Sequence, residues 1–300
     1  MKVLVTGADG FVGSHLVRSL GKEHDVIALD YVNPPPRNIP KGSVYFNLDL
    51  SATSLESLTG ISMPDVIIHA ATCSIDAISH NPRLEQVNIS AMLNVLEYCK
   101  VNDVRLIFTS SCSVYGDGVL HTEMDPLYPL SLYSAGKEAC EEYLKFYYRL
   151  YGLQQATILR LSNVYGDTTD ITNKVYLGKK DVVRVFMEKA LKGESLPLVG
   201  GTQTRDYTFI DDVVETVRKA MSLRGLDVFN VATGVETSVS ALAELIGEVL
   251  GLKVKTHSIP DRLIDNVQRR SMDISKMRSL WEPKYSLKEG LKEYAGRMQP

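Results

Sequence analysis

The sequence predicts an α/β fold, a doubly wound parallel sheet followed by a smaller α/β domain. Short apolar runs alternate with helical stretches through the first half of the chain, as expected for strands buried between two layers of helices. The first run, Lys2 to Thr6, enters a glycine-rich turn that leads directly into a helix. This order is typical of a sheet that binds its ligand at the ends of its strands.

The glycine turn predicts a nucleotide-binding site of the Rossmann type. It reads Gly7-Ala8-Asp9-Gly10-Phe11-Val12-Gly13. Helical periodicity follows from Ser14 to Leu20. Gly7 permits the tight turn, Gly10 lets the backbone approach a diphosphate, and Gly13 lets the helix pack closely on the strand. The free N–H groups of the helix N-terminus would then face the phosphates.

The second strand, Asp25 to Asp30, ends in a carboxylate shortly after this helix. Asp30 would accept hydrogen bonds from the adenosine ribose hydroxyls, and its charge would repel a 2′-phosphate. This favours NAD over NADP as the cofactor. Arg37, which follows three prolines, could bind a phosphate and keeps NADP open as an alternative.

Further strands and helices continue the alternation. We expect strands at Val44 to Asn47, Val66 to His69, Leu106 to Ser110 and Thr157 to Leu161, and helical stretches near Leu55, from Leu84 to Cys99 and from Ser134 to Tyr151. Ligands of such sheets bind at the carboxyl ends of the strands. Candidate site residues at these ends are Asp49, Leu50, Ala70, Ala71, Thr72, Ser110, Ser111 and Ser113. Hydroxyl groups there could instead cap turns.

Tyr133 and Lys137 lie four residues apart in the stretch YSAGK. On a helix these positions share one face, so the ammonium could lie within reach of the phenol. A cation there favours the phenolate, and lowering a tyrosine pKa by about three units requires on the order of 4 kcal/mol. Ser111 precedes this helix in the same predicted sheet and could face Tyr133 across a cleft. For an isolated YxxxK, a solvated lysine beside a half-buried tyrosine is the alternative.

The composition excludes several classes of function. The 300 residues are 44% hydrophobic and 23% charged, typical of a globular protein with a large core. A net charge of −3 without a dense Lys/Arg run argues against binding to nucleic acid or to an anionic membrane. The four cysteines lack metal-ligand spacing, so we expect reduced core thiols and no metal. Without a signal-like or membrane-spanning stretch, the sequence predicts a cytoplasmic protein.

Six motifs follow one another along the chain: TGADGFVGSHL, the Asp49-Leu50 pair, TSSCSVYG, YSAGK, LRLSNVYG and RDYTFIDDVV. In this order they resemble the extended short-chain dehydrogenase/reductases, specifically the NAD-dependent sugar-nucleotide epimerase/dehydratase family and its UDP-glucose 4-epimerase-like members. The similarity covers essentially the whole chain. It implies NAD as the cofactor and a sugar nucleotide, with UDP favoured, as the substrate.

The resemblance also implies roles for individual residues. Tyr133 would be the acid/base, Lys137 would hold the nicotinamide ribose and lower the tyrosine pKa, and Ser111 would hydrogen-bond the reacting hydroxyl. The implied cofactor-binding residues are Gly7, Gly10, Phe11, Val12, Gly13, Asp30, Asp49, Leu50, Ala70, Ala71, Thr72, Asn88, Ser110, Tyr133 and Lys137.

Substrate contacts are implied for Ser111, Ser113, Asn163, Arg205 and Arg262. Arg205, in the RDY motif, matches an arginine that typically binds the substrate diphosphate. The second phosphate-binding arginine matches less cleanly, because IPDRLIDNVQRR departs from the usual DRPG-like pattern. Arg262 is the favoured choice, with Arg269 and Arg270 as alternatives.

These residues together predict a reaction. The tyrosinate would take the proton of a sugar hydroxyl held by Ser111, while the carbon beneath it delivers hydride to NAD. If the keto-sugar turns while Arg205 anchors its nucleotide, return of the hydride to the opposite face inverts the alcohol. The net reaction is 4-epimerisation.

Other reactions of the same family stay open. Its dehydratases carry an Asp-Glu pair where this chain has Cys112 and Ser113, and the glutamate of the decarboxylating relatives is also missing. A dehydratase, decarboxylase or ketoreductase would therefore draw its acid from elsewhere, for instance Asp117 or Glu123. A non-catalytic NAD-binding regulator or scaffold is the alternative of another class, but the serine, tyrosine and lysine are all present.

We expect the chain to divide into an NAD-binding domain, residues 1–165, and a sugar-nucleotide domain, residues 166–300. The second half would return to the first domain near residues 208–235. We expect helices at Asp181 to Leu191 and Ser238 to Leu250 and a strand at Leu196 to Val199, with the return made by Asp211 to Met221 and the strand Val228 to Val231. The resemblance implies a homodimer through a four-helix bundle, formed by the helix near Leu84 to Cys99 and the helix that carries Tyr133.

Overall fold

The computed structural model describes residues 1–31, 39–60, 62–167, 181–260 and 267–298. The strands in these ranges are β1 (Lys2–Thr6), β2 (Asp25–Asp30), β3 (Val44–Asn47), β4 (Val66–His69), β5 (Arg105–Ser111), β6 (Gly118–His121), β7 (Ala156–Leu161), β8 (Asn163–Tyr165), β9 (Leu196–Val199), β10 (Thr204–Phe209), β11 (Leu226–Val231), β12 (Glu236–Ser238), β13 (Thr256–Ile259) and β14 (Arg269–Met272). The helices are α1 (Phe11–Leu20), α2 (Ile75–His80), α3 (Leu84–Asn102), α4 (Leu132–Leu150), α5 (Val182–Leu191), α6 (Ile210–Ala220), α7 (Val239–Leu250), α8 (Ser275–Arg278) and α9 (Leu287–Met298).

A seven-stranded parallel sheet forms the centre of the fold. Its strand order is β11-β7-β5-β4-β1-β2-β3, and every neighbouring pair in it is parallel. From β1 the chain builds outward to one edge through β2 and β3, then crosses to the other side of β1 and adds the remaining strands. This is the doubly wound Rossmann arrangement, so the predicted fold class is confirmed.

A second sheet lies beside the first and has the order β12-β10-β14-β6, with β8 also paired to β10. Strands β9 and β13 form a separate parallel pair. The two halves of the chain exchange strands, because β6 comes from the first half and joins the second sheet, whereas β11 comes from the second half and completes the first. Strand β10 pairs with β14 so that Arg205 lies opposite Arg270.

Both faces of the first sheet are buried under helices. Val3 and Val5 of β1 belong to one apolar cluster, together with Leu16 of α1. Leu4, between them, belongs to a second cluster with Leu144 of α4. Successive side chains of a strand point to opposite faces, so an unbroken apolar run is what a strand covered on both sides requires.

Two of the expected helices differ in extent from the prediction. The stretch near Leu55 forms only a short 3₁₀ turn, Leu55–Ser57. Gly60, with a φ of +80°, follows it in a left-handed conformation that a helix does not continue through. Helix α4 begins at Leu132, before the predicted start, because Ser131 and Ser134 form a reciprocal capping box at its N-terminus.

The close approach of α1 to β1 yields a testable prediction. A Cβ atom at Gly13 would lie 1.9 Å from the carbonyl oxygen of Gly7, which the backbone cannot avoid without moving. We expect Gly13→Ala to lower the unfolding free energy by roughly 2 kcal/mol or more, measured by urea denaturation. Gly296 also lies in a helix but faces open space, so Gly296→Ala is the matched control and should be neutral or stabilising. Equal stability of the two variants would contradict this account.

Candidate functional site

A cleft of about 600 Å³ opens at the carboxyl ends of the strands of the first sheet. It lies where the strand order reverses at β1, which is where ligands of doubly wound sheets bind. The cleft brings together all the expected cofactor residues and Ser111, namely Gly7, Gly10, Phe11, Val12, Gly13, Asp30, Asp49, Leu50, Ala70, Ala71, Thr72, Asn88, Ser110, Ser111, Tyr133 and Lys137.

The glycine turn forms the floor of this cleft at the end of β1. Gly7 has a φ of +69°, and a Cβ atom there would lie 2.6 Å from the backbone nitrogen of Ala71. The neighbouring Thr6 hydroxyl accepts a hydrogen bond from the same nitrogen at 3.2 Å. The turn after β1 and the segment after β4 therefore press against each other, and only glycine fits between them.

Asp30 ends β2 at the rim of the cleft. One carboxylate oxygen accepts a hydrogen bond from the backbone of Asp9 at 2.8 Å, and the other accepts one from Tyr31 at 2.7 Å. Burial raises the pKa of this carboxyl, and the two backbone N–H groups oppose that shift. The hydrogen bond to Asp9 ties the end of β2 to the glycine turn, which places an acceptor next to the expected diphosphate site.

Tyr133 and Lys137 share one face of α4 and line the cleft together. The Lys137 Nζ lies 5.8 Å from the centre of the Tyr133 ring and donates a hydrogen bond to the Thr109 carbonyl oxygen at 2.9 Å. The lysine is only 5% exposed, and this burial lowers its pKa. An ammonium has three donors, and within the part of the chain that the structure describes one of them is taken by Thr109, which leaves two for groups that enter the cleft.

The serines that follow β5 are held by different partners. Ser111 caps the 3₁₀ turn Cys112–Tyr115, and its Oγ accepts hydrogen bonds from the Ser113 backbone at 3.1 Å and the Ser113 hydroxyl at 2.9 Å. Ser113 is buried beside it. Ser110 donates its hydroxyl hydrogen to the buried carboxylate of Glu141 at 2.6 Å. Ser111 can therefore donate its hydroxyl hydrogen to a group in the cleft, whereas the hydroxyl hydrogen of Ser110 is already donated to Glu141.

The expected substrate residues lie at the edge of the cleft and beyond it. Asn163 begins β8, between Ser162 and Val164, which both line the cleft. Arg205 lies on β10 and does not line the cleft, but it is next to the strand partner Arg270. Arg262, and also Arg37, lie outside the described residues.

The two alternative phosphate-binding arginines have different surroundings. Arg270 is 4% exposed and donates from Nε to the carbonyl oxygen of Gly116 at 2.9 Å. The Arg269 side chain is 59% exposed and forms an ion pair with Glu236 at 2.5 Å. Among the described residues, Arg270 is the arginine that the strand register places beside Arg205.

A buried polar network that the sequence did not predict adjoins the cleft through Ser110. Two nitrogens of Arg160 on β7 donate to the Glu141 carboxylate: Nη2 at 2.6 Å, and Nε to both oxygens at 3.0 and 3.2 Å. Arg160 also donates to the Tyr115 hydroxyl at 2.7 Å, which in turn donates to Asn230 of β11 at 2.6 Å. A signal was present in the sequence, since Glu141 follows Lys137 by four residues and so continues the same helix face.

The carboxylates proposed as alternative acids accept hydrogen bonds from backbone groups outside the cleft. Asp117 accepts a hydrogen bond from the Arg269 backbone at 2.8 Å, and Glu123 accepts one from the Asn230 backbone at 2.8 Å. Neither of them lines the cleft. The positions that carry the Asp-Glu pair in dehydratases hold Cys112 and Ser113, both buried.

Two further findings concern the described ranges. The helices there are too short or too polar to cross a bilayer. Nor do His, Cys, Asp and Glu side chains in these ranges gather in groups of three that could bind a metal ion.

Comparison with known proteins agrees with this geometry. A family model described as NAD dependent epimerase/dehydratase family matches residues 3–232. The chain is 36% identical to UDP-glucose 4-epimerase of Mycolicibacterium smegmatis, over 97% of this chain and 96% of that protein. It is 30% identical to UDP-glucuronic acid decarboxylase 6 of Arabidopsis thaliana, over 97% of this chain and 87% of that protein.

The same similarity extends to a solved structure. The crystal structure of UDP-glucose 4-epimerase from Thermotoga maritima with UDP-glucose matches with a TM-score of 0.89 and 32% identity. The match covers 99% of this chain and 98% of that one.

His69 generates a prediction about acid stability. It is buried at the end of β4, where Nδ1 lies 2.8 Å from the Thr6 hydroxyl oxygen, and burial lowers its pKa to about 3, with the nearby Lys137 acting in the same direction. The unfolded chain, with a histidine pKa of about 6.5, then binds one more proton below that pH, so acid favours unfolding. The unfolding free energy should therefore fall by about 2 kcal/mol, through His69, as the pH is lowered from 7 to 5.

The measurement compares urea denaturation of the wild type and His69→Asn at both pH values. The variant keeps a polar side chain but cannot take up the proton, so its stability relative to the wild type should improve as the pH falls. His80→Asn, at an exposed position, is the control. Parallel pH dependence in the wild type and His69→Asn would show that this account is wrong.

Proposed function

The chain belongs to the NAD-dependent epimerase/dehydratase family, and we propose that it is a nucleotide-sugar 4-epimerase that acts on a UDP-hexose. The observation that carries this proposal is the single cleft shared by Tyr133, Lys137, Ser111 and the expected nucleotide-binding residues. The similarity to UDP-glucose 4-epimerases over nearly the whole chain supports the choice of substrate.

The cleft residues fit a bound NAD. The glycine turn gives a surface without side chains for a diphosphate, and Asp30 at the rim offers acceptors for ribose hydroxyls. Lys137 has donors left for the second ribose. NAD would supply the acceptor and donor of the hydride.

The residues of this chain would perform the proton chemistry and the positioning. Tyr133 takes the proton of the sugar 4-hydroxyl, which Ser111 holds through its own hydroxyl. Lys137 favours the phenolate because its ammonium lies on the same helix face. Arg205, with Arg270 beside it, would anchor the diphosphate so that the keto-sugar can turn between the two half-reactions. The return of the proton from Tyr133 then completes the inverted alcohol.

The reaction within the family is decided by which carboxylates reach the substrate. Cys112 and Ser113 replace the acid pair of a dehydratase, and Asp117 and Glu123 are bonded elsewhere. The 30% identity to a UDP-glucuronic acid decarboxylase keeps decarboxylation as a second candidate. A ketoreductase or a non-catalytic NAD-binding scaffold would not form the 4-epimer of a sugar nucleotide.

The decisive experiment is a panel of UDP-, dTDP- and GDP-sugars incubated with the purified protein without added coenzyme, followed by NMR of the products. Interconversion of a pair of 4-epimers supports the proposal. Release of CO₂ from UDP-glucuronic acid would assign the decarboxylase reaction instead, and an unchanged panel would favour the scaffold.

We further assign residues 1–165, with the return near 208–235, to NAD binding and residues 166–300 to the sugar nucleotide. The exchange of β6 and β11 between the two sheets supports an interleaved division. We place the enzyme in the cytoplasm, because Cys99 and Cys140 are buried thiols that form no disulfide, which suits a reducing compartment.

Tyr133→Phe tests the catalytic assignment. Removing the hydroxyl removes the proton acceptor, so turnover should fall by roughly 10²–10⁴-fold while NAD stays bound, measured by kinetics and by release of NAD from denatured protein. Tyr148→Phe on the same helix is the matched control, because its hydroxyl forms no hydrogen bond in the described part of the chain and activity should persist. A Tyr133→Phe enzyme of near wild-type turnover would remove the tyrosine from this role.

We also propose a homodimer through a four-helix bundle of α3 and α4. Three large apolar side chains of α4, Tyr143, Phe146 and Leu150, are exposed on its outer face, which a second copy would cover. Sedimentation velocity at micromolar concentration should show a dimer of about twice the 33.3 kDa chain mass, and Phe146→Glu should dissociate it. A wild-type monomer would contradict the proposal.

A further inference from the structure

Gly136 occupies an unexpected place in the interior of α4, between Tyr133 and Lys137. Glycine in a helix interior costs about 1 kcal/mol relative to alanine, so a specific contact should explain it. A Cβ atom at this position would lie 1.6 Å from Oε1 of Glu85 and 2.2 Å from its Cδ. The carboxyl group of Glu85, on α3, therefore fills the space that a side chain at position 136 would take, one residue before the lysine.

Glu85 is fixed in this place by Asn88, one helical turn further along α3. The side-chain nitrogen of Asn88 donates to both carboxylate oxygens of Glu85, at 3.3 and 3.2 Å. The Asn88 side-chain oxygen accepts a hydrogen bond from the Cys73 backbone at 2.6 Å. Asn88 lines the cleft, so this chain of contacts ties the carboxylate of Glu85 to the cleft wall.

Lys137 needs a negative partner because burial disfavours its charged form and lowers its pKa. The titratable groups around it are Tyr133, Cys140 and Glu141 on its own helix, Glu85 on α3, and His69 on β4. Burial raises the pKa of the Cys140 thiol to about 11 and lowers that of His69, so both are uncharged near neutral pH.

The two carboxylates near Lys137 differ in how far their charge is already balanced. Glu141 forms its ion pairs with Arg160 at 2.6 Å and Lys145 at 3.7 Å. Among the described residues, Glu85 accepts hydrogen bonds only from the neutral amide of Asn88, and the cation that acts on it is Lys137. The charge of Glu85 is thus the one that remains to balance the ammonium.

We propose that Glu85 is a positioning residue that keeps Lys137 protonated beneath Tyr133, and that Gly136 is glycine because it makes room for this carboxylate. The proposal rests on the proposed function for its catalytic consequence. The claim that Glu85 keeps Lys137 protonated does not depend on which reaction takes place in this cleft.

The direct test measures the titration of Lys137 in NAD-bound protein labelled with ¹³C at lysine Cε, with the resonance assigned by its absence in Lys137→Met. Glu85→Gln keeps the size and the contact with Asn88 but removes the charge. The Lys137 pKa should fall by about 0.5 unit or more in this variant. In a plot of kcat against pH, the alkaline limb should also move to lower pH.

Glu97→Gln is the matched control. Glu97 also lies on α3 and also contacts α4, through the Tyr147 hydroxyl, but it is about 18 Å further along the helix axis. The Lys137 titration should be the same as in the wild type. A purely structural role of the α3–α4 contact would make both glutamine variants behave alike.

Gly136→Ala tests the steric half of the proposal. The new methyl group should push the carboxylate of Glu85 aside and lower the Lys137 pKa as Glu85→Gln does. When Gly136→Ala is combined with Glu85→Gln, the Lys137 pKa should be close to that of Glu85→Gln alone, because the carboxylate charge is already removed. Additive shifts would show that glycine acts through something other than Glu85.

The outcomes separate this inference from the proposed function. A shifted Lys137 titration in a protein that epimerises no sugar would leave the Glu85 assignment intact and reject the 4-epimerase. An unshifted titration in Glu85→Gln, with native stability and bound NAD, would overturn the Glu85 assignment even if the epimerase activity is found.

Discussion

The buried contact between Glu141 and Arg160 holds the site together. Both side chains are almost completely buried, and they join α4, which carries Tyr133 and Lys137, to β7 in the sheet. Ser110 on β5 shares the same carboxylate, and Tyr115 and Asn230 extend the network to β11. A buried pair of this kind is weak evidence for net stability, but leaving either charge unpaired costs about 3–5 kcal/mol. The network therefore fixes where the helix can lie.

With α4 held in this way, the cleft follows from the sheet. The carboxyl ends of β1, β2, β4 and β5 meet at one edge, so residues far apart in the chain converge there. The close contact of Gly7 with Ala71 determines how near the neighbouring turns can come. The site thus combines a backbone surface suited to a diphosphate with a buried ammonium, whose pKa is lowered by burial and raised by the charge of Glu85 on α3.

Much of this site could be predicted because its signals are local. The glycine turn, the carboxylate of Asp30 and the four-residue spacing of Tyr133 and Lys137 each lie within one strand–turn–helix segment or one helix face. The structure brings these residues into one cleft. The helical stretch expected near Leu55 is present as a single 3₁₀ turn, because the backbone is already extended at Leu58.

The sequence by itself determined the alternation of buried strands and helices, and with it the doubly wound sheet, because these patterns depend on periodicities of two and 3.6 residues along the chain. Only the tertiary structure decided that Arg270 lies beside Arg205, that Glu85 fills the space at Gly136 and that Arg160 meets Glu141. Those contacts depend on strand register and on the packing of one helix against another. Such distances between separate elements are set by the whole core, and no spacing within a single segment encodes them.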